Sequence, residues 1–215
     1  VVHLNYKNPW LSPFDEFQRW KQHPEVRKHL EGGKRIAYGA RAISEGGLQS
    51  VPKLYFPGGV LLGDSAGLVN VPRIKGSHNA ILSGKAAAEA AHRALAAGRS
   101  GDELTDYNAE LKDGPIGHDL KRVRNVKPLW SNRGLVASLT LGGFDMWTNN
   151  LFGLSLLGTQ KHGKSDAAAT GEARKFKPID YPKPDGVLSF DRLTNVAFSM
   201  TNHEEHQPCH LRLGD

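Results

Sequence analysis

Gly58-Gly59-Val60-Leu61-Leu62-Gly63-Asp64-Ser65-Ala66-Gly67, followed after one loop by Lys75-Gly76-Ser77-His78-Asn79-Ala80 and an alanine-rich run to Gly98, is the stretch that decides the fold. The short apolar run from Val60 to Leu62, with glycines on both sides, reads as a buried strand that carries Asp64 at its carboxyl end. In an open α/β sheet ligands bind at that end of a strand. The loop from Leu68 to Lys75 contains Pro72 and closes on Gly76, so a helix is expected to start near Ser77 with free N–H groups in its first turn. Such donors favour an anionic or electron-rich ligand edge. Ala80, Ser83, Gly84, Ala87, Ala88 and Ala91 recur three or four apart and predict a smooth face for close packing.

Working outward, the order strand, Gly-Asp, Pro loop, Gly and small-residue helix resembles the second FAD-contacting motif of flavoproteins built like aromatic hydroxylases and geranylgeranyl reductases. More of the chain narrows the likeness. The segments at Tyr6-Lys7-Asn8-Pro9-Trp10-Leu11-Ser12-Pro13-Phe14, Glu31-Gly32-Gly33-Lys34-Arg35-Ile36-Ala37-Tyr38-Gly39-Ala40-Arg41, Asn70-Val71-Pro72-Arg73-Ile74-Lys75-Gly76 and Thr201-Asn202-His203-Glu204 resemble the electron-transfer flavoprotein:ubiquinone oxidoreductase family. The likeness is weakest from Gly98 to Gly171. It implies an α/β fold, α+β in parts, of the aromatic-hydroxylase type. It further implies a quinone-binding-domain remnant over 1–56, the carboxyl-terminal part of an FAD domain over 57–128, and a membrane-interface helix with the start of an iron–sulfur domain over 129–215. The implied cofactor contacts are Gly63, Asp64, Ser65, Ala66, Pro72, Gly76, Ser77, His78, Asn79 and Ala80, with Asp64 on the ribityl chain and the helix mouth on the pyrimidine side of the flavin. FAD, a [4Fe–4S] cluster and ubiquinone are the implied cofactors, the ligands of the last two lying outside this chain. Electron-transfer flavoprotein and an inner-membrane surface, bacterial cytoplasmic or mitochondrial matrix, are the implied partners. No catalytic acid or base is expected, since electron transfer needs none. Asp64 read alone also fits an ordinary cap.

Composition sets outer bounds on all of this. In 215 residues there are 28 Lys and Arg against 22 Asp and Glu, a formal charge of +6, and the mean hydropathy of −0.46 excludes a multi-span membrane protein. The excess of positive charge predicts attraction to an anionic surface. No RNA-binding signature or Cys-x-x-Cys finger spacing favours nucleic acid. The single cysteine, Cys209, excludes an intrachain disulfide and a four-thiolate cluster within this sequence. The chain starts without Met on strand-like text, and no G-x-G-x-x-G follows a strand, so it reads as a fragment lacking the pyrophosphate-binding half of a dinucleotide fold.

Near the start, Ser12-Pro13-Phe14-Asp15-Glu16 carries helix-start signals, and Phe14, Phe17 and Trp20 at three-residue spacing predict a core-facing stripe. Alternation from Ile36 to Ala40 between glycine pairs predicts a hairpin or meander. Arg35 and Arg41 fit either an acidic or phosphate partner or pairing within the fold.

The second functional stretch is Gly134 to Gly158. Leu135, Leu139, Phe144, Met146, Trp147, Leu151 and Leu154 are its candidate membrane-interface residues, with Ser138, Asp145, Thr148, Asn149 and Ser155 on another side. An aspartate at mid-bilayer costs about 2.5 to 3.5 kcal/mol, which argues against a spanning helix. Basic flanks from Lys121 to Arg133 and at Lys161 and Lys164 fit a helix lying in the interface, and a helix buried against the core is the competing reading. At the end, His203, His206, Cys209 and His210 are competent metal ligands, but their spacing is not H-E-x-x-H and Pro208 breaks any continuous helix, so no metal site is assigned. Two further readings stand beside the main one: a flavin-dependent isoprenoid-lipid reductase of the same fold, and a basic amphipathic membrane-binding module without activity.

Overall fold

The computed structural model describes residues 2–202 and 204–206. In chain order its elements are α1 (Pro13–Lys21), α2 (Pro24–Arg27), β1 (Tyr55–Phe56), β2 (Gly59–Val60), α3 (Ser77–Ala96), α4 (Thr105–Asp113), α5 (Pro115–Arg122), α6 (Val126–Phe152), α7 (Asp166–Ala169) and α8 (Arg192–Phe198). Short 3₁₀ turns occupy Leu48–Ser50, Gly63–Ala66 and Ala173–Lys175. The chain is thus largely helical with one small sheet, a mixed α/β composition. It forms two units, Val1–Arg41 with Asp166–Asp215, and Ala42–Ser165.

In the first unit, Ser12 caps α1 by accepting from the Asp15 N–H at 3.2 Å, and Pro13 takes the first helical position. Tyr181 braces this end: its hydroxyl accepts from the Ser12 N–H and donates to Glu16, both at 3.0 Å. The expected aromatic core stripe is not buried. Phe17 and Trp20 stack on each other and are exposed, whereas the buried side chain of α1 is Gln18, whose Oε1 accepts from the Phe190 N–H at 3.1 Å. A polar side chain takes the inner face because the returning chain at Phe190 needs an acceptor for its backbone donor. Arg35 is paired within the fold, its guanidinium lying 3.5 and 3.6 Å from the ring centres of Phe190 and Phe198 and donating to Asn195 Oδ1 at 2.8 Å. Asp185 accepts from the N–H groups of Val187, Leu188 and Ser189, which hold its carboxyl far below the ordinary range.

The expected hairpin after Gly33 is absent, because residues 33–47 form neither strand nor helix. Their extended backbone finds partners elsewhere, the Tyr38 N–H donating to the Phe198 carbonyl at 3.1 Å.

In the second unit, the strand read from Val60 is a two-residue arm of an antiparallel hairpin, with Tyr55 opposite Val60 and Phe56 opposite Gly59. Pro57 and Gly58 make the turn, and Gly58 takes a φ of 76° that its missing Cβ permits. Leu61 N–H to Leu54 carbonyl, 2.8 Å, extends the pairing by one rung. An open parallel sheet is not present among the described residues. Around the hairpin, α3, α4 and α5 bury Leu54, Ala66, Leu68, Ala87, Tyr107 and Leu120 in one cluster.

α3 begins at Ser77 as the sequence predicts, but its inner stripe is rotated from the one expected. Asn79, Ser83, Ala86, Ala87, Ala90 and Ala94 are buried, while Ala88 is exposed. The two polar members lie inside because the turn and loop before the helix supply their partners. α6 is two helical pieces joined at Gly134, whose φ of 77° and ψ of −175° suit glycine alone.

Candidate functional site

The turn and helix mouth that follow β2 are built from close approaches. Gly63 (φ 58°) donates its N–H to the buried Ser83 Oγ at 3.0 Å, and a Cβ on it would lie 3.2 Å from that of Ala80. Small residues at 63, 66 and 80 therefore let the 3₁₀ turn lie against α3. Gly76, at the N-cap of α3, has no side chain to accept from the first-turn N–H groups. Those donors, with the dipole of a helix that continues to Ala96, make the mouth electropositive.

Of the ten residues expected here, Gly63, Ala66 and Asn79 are buried, Gly76 and Ala80 half-buried, and Asp64, Ser65, Pro72, Ser77 and His78 exposed. Asp64 Oδ1 accepts from the Ser44 N–H at 2.9 Å, which leaves its second oxygen on the solvent side. Asn79 Nδ2 donates to the Leu68 carbonyl at 2.8 Å, fastening the first turn of α3 to the preceding loop. A cavity of about 380 Å³ does occur in this unit, but Leu48, Val51, Leu68, Leu111 and Leu120 are among its walls and none of the ten residues is. Asp64, Ser65, Pro72, Ser77 and His78 thus form the exposed part of the site, over a buried base of Gly63, Ala66 and Asn79.

The loop between turn and helix holds what sequence reasoning missed. Asn70 is fully buried, and its backbone pairs with Lys75 in both directions, closing a tight loop. Ile74, which closes the turn from Val71 beside Lys75, takes a φ of 51°, a costly conformation for a β-branched residue. Asp119, from α5, reaches across to this loop. It accepts from Asn70 Nδ2 at 2.9 Å, faces His78 Nε2 at 3.4 Å, and lies 3.5 Å from Arg73 Nη1. Burial pushes its carboxyl up, and the bonds from Asn70 and His78 with the Arg73 charge outweigh that, holding it below the ordinary value. Asp119 lies in no motif, and only the fold brings it to the loop.

The second surface is the outer face of α6 after Gly134. Ser138, Gly142, Asp145 and Thr148 are buried, whereas Val136, Leu139, Phe144, Trp147 and Leu151 are exposed, Leu139 by 62% and Trp147 by 54%. The helix therefore turns its polar side inward and its apolar side outward. Leu135 and Leu154 are exposed as well, and Met146 is half-buried. The outward stripe runs through Val136, Leu139, Gly143 and Trp147 at helical spacing, which puts Met146 at its margin. The inward polar side is satisfied by a clasp on Asp145. Its Oδ2 accepts from Asn125 Nδ2 at 2.9 Å, and its Oδ1 from the Ser155 hydroxyl at 2.5 Å. Asn125 Nδ2 also donates to the Gly158 carbonyl at 2.7 Å, and its Oδ1 accepts from the Gln160 N–H at 2.8 Å. Between Arg133 and Lys161 the one charged residue is this inward Asp145, so the outer face carries no charge.

Among the described residues no helix is long and apolar enough to cross a membrane, and no three His, Cys, Asp or Glu side chains could share a metal ion. His203, Cys209 and His210 lie outside the described residues.

Residues 1–43 match the family described as ETF-QO, ubiquinone-binding, and residues 186–215 the one described as electron transfer flavoprotein-ubiquinone oxidoreductase, 4Fe-4S. The whole chain is 50% identical over 221 residues to the mitochondrial electron transfer flavoprotein-ubiquinone oxidoreductase of Rattus norvegicus, and covers 35% of it. It is also 50% identical over 216 residues to the enzyme of that name in Pseudomonas aeruginosa, covering 39%. The mitochondrial relative of Arabidopsis thaliana is 48% identical over 215 residues, with 33% covered. The chain thus spans little more than a third of the length of these curated relatives. Along its whole length the chain is similar to one part of the electron transfer flavoprotein-ubiquinone oxidoreductases.

Proposed function

We propose that this chain serves in a flavoprotein that passes electrons from reduced electron-transfer flavoprotein, through FAD and a [4Fe–4S] cluster, to ubiquinone at an inner-membrane surface. The observation that carries the reading is the identity of about half the residues along the whole chain to enzymes of that name from a mammal and a bacterium. Residues 57–128 would supply part of an aromatic-hydroxylase-like FAD domain, 1–56 part of the quinone domain, and 129–215 the membrane-facing helix and the start of the iron–sulfur domain.

The donor set at the helix mouth suits a flavin. The uncapped first turn of α3 offers N–H groups to a carbonyl edge, and Asp64 keeps a free carboxylate oxygen for sugar-alcohol hydroxyls. Bound there, FAD supplies the redox chemistry. The residues' share is positioning and electrostatics. The N–H groups of Ser77 and His78 would hold the pyrimidine edge, the helix dipole would favour negative charge beside it, and the half-buried Ala80 would leave room for close approach. No proton transfer is assigned to His78.

The outward apolar stripe of α6 would lie in the lipid headgroup region. Burying Leu139, Trp147 and Leu151 there gains about 1.5 to 3 kcal/mol per large side chain. Arg122, Arg133 and Lys161, which flank the stripe in sequence, would meet anionic headgroups.

The test is the purified holoprotein that carries this chain. It is expected to contain FAD that reduced electron-transfer flavoprotein reduces, to float with liposomes, and to sustain repeated turnover of that donor only when ubiquinone is supplied as terminal acceptor. Flavin-free protein, or flavin that electron-transfer flavoprotein does not reduce, contradicts the reading.

A further inference from the structure

We infer that Asp119 is a positioning residue for the flavin site, acting through His78 and the Asn70–Lys75 loop. The inference rests on the flavin reading of the helix mouth and adds to it a residue from a different helix.

Three groups converge on this one carboxylate from both sides of the loop. Asn70 forms the loop base, Arg73 rides on the loop, and His78 belongs to the first turn of α3. The first contact is part-buried, Asn70 having no exposed surface, while the side chains of Arg73 and His78 are exposed. Asp119 therefore ties a fixed interior point to two groups at the mouth. The loop needs such a tie. Ile74, which closes the turn from Val71 beside Lys75, is held at positive φ, a conformation that persists only when the surroundings over-determine it. The Asn70 backbone pairing to Lys75 closes the loop, and Asn70 Oδ1 accepts from the Arg73 N–H at 3.3 Å. Asn70 Nδ2 donates to Asp119 and its Oδ1 accepts from the Arg73 N–H, so this one buried side chain holds both the loop and the carboxylate. That arrangement fixes where Pro72 and Ile74 stand relative to Ser77 and His78. A ligand against the helix mouth then meets a prebuilt wall, and ordering costs are lower than for a mobile loop.

The role also explains why a carboxylate is needed rather than another acceptor. Asparagine at 119 would still accept from Asn70, but would lose the charge that draws Arg73 and the imidazole inward.

The experiment compares FAD dissociation from the holoprotein that carries this chain for the parent, Asp119→Asn, Asp119→Glu, His78→Asn and the double variant Asp119→Asn/His78→Asn. Asp119→Asn is expected to weaken FAD binding about tenfold, as the loss of charge-assisted contacts implies. Asp119→Glu, which restores the charge, is expected to recover most of that affinity. Losses in the double variant are expected to fall short of the sum of the single ones, because both changes break one linkage. The flavin absorption spectrum is expected to shift in Asp119→Asn and return in Asp119→Glu. Should Asp119→Asn not fold, Arg73→Gln and His78→Asn remove the exposed partners instead, and each is expected to weaken FAD binding. Parental affinity and spectrum in all variants that fold overturn the positioning role while leaving the flavin reading intact. A parent that holds no FAD removes the flavin reading, and the inference with it.

Discussion

The two longest helices of the second unit bury unlike faces for related reasons. α3 tucks Asn79 and Ser83 under a stripe of alanines, and the second piece of α6 tucks Ser138, Asp145 and Thr148 inward, so in both the inner face includes polar groups that complete a neighbouring loop. The difference is outside. α3 presents Lys85, Glu89 and Arg93, paired with each other or with Asp106, whereas α6 presents leucines, a phenylalanine and a tryptophan with no charge among them. Apolar residues on a charged face are ordinary surface, but a continuous uncharged apolar stripe implies a covering phase. The comparison teaches that inward polarity and outward apolarity belong together in α6, since one clasp on Asp145 lets the helix spend its apolar face elsewhere.

The strongest way to break this contrast is to put charge on the outer stripe. Trp147→Glu with Leu151→Glu is expected to lower partitioning onto anionic vesicles by about 100-fold or more while leaving the fold in place, because neither side chain contributes to the core. Cosedimentation at low and high salt measures it, and the residual binding should be the salt-sensitive part from the basic flanks. Glutamates at Ile81 and Leu95, exposed positions on α3, are expected to have little effect in the same assay.

Next in size is the clasp. Asp145→Ala removes the carboxylate that accepts from Asn125 Nδ2 and the Ser155 hydroxyl, leaving both to share the Gly158 carbonyl, and is expected to cost about 1 to 3 kcal/mol, read by urea denaturation. The matching change in α3, Ser83→Ala, removes one acceptor, for the Gly63 N–H, and is expected to cost about 1 kcal/mol with a measurable loss of FAD.

The smallest effect concerns Tyr107, which is fully buried and donates to the Leu61 carbonyl at 2.8 Å beside the same turn. Burial pushes its phenol up to about 12. The folded value lies above the unfolded one of about 10, so the associated stability is complete below pH 10 and is lost as pH rises towards 12. Tyr107→Phe is expected to remove that alkaline loss, at a cost near neutrality of about 1 kcal/mol.

How much of this the sequence disclosed depended on how local the cause was. The start of α3 at Ser77 was readable because Gly76 and the Pro72 loop are local signals. The Ser12 cap on α1 was readable for the same reason. The outward side of α6 was half readable: periodicity separated Leu139 from Asp145, but it could not say which side faced the protein, and that depended on Asn125 and Ser155 supplying donors. The aromatic stripe of α1 misled because Gln18 answers a backbone donor from Phe190, a residue distant in sequence. The strand pattern after Gly33 misled because no partner strand meets it among the described residues. Asp119 was invisible for a related reason, since no spacing rule ties α5 to the loop at Asn70.

If the outer stripe of α6 meets lipid, Trp147 lies among acyl chains in vesicle-bound protein, and brominated acyl chains will quench its fluorescence. In a variant where Trp10, Trp20 and Trp130 are replaced by phenylalanine, Trp147 is the remaining tryptophan of the four in this chain. Strong quenching and a blue-shifted emission are expected on vesicle binding, both abolished by Leu139→Glu with Leu151→Glu. Vesicle-bound protein whose Trp147 is neither quenched nor shifted would contradict lipid contact by the stripe.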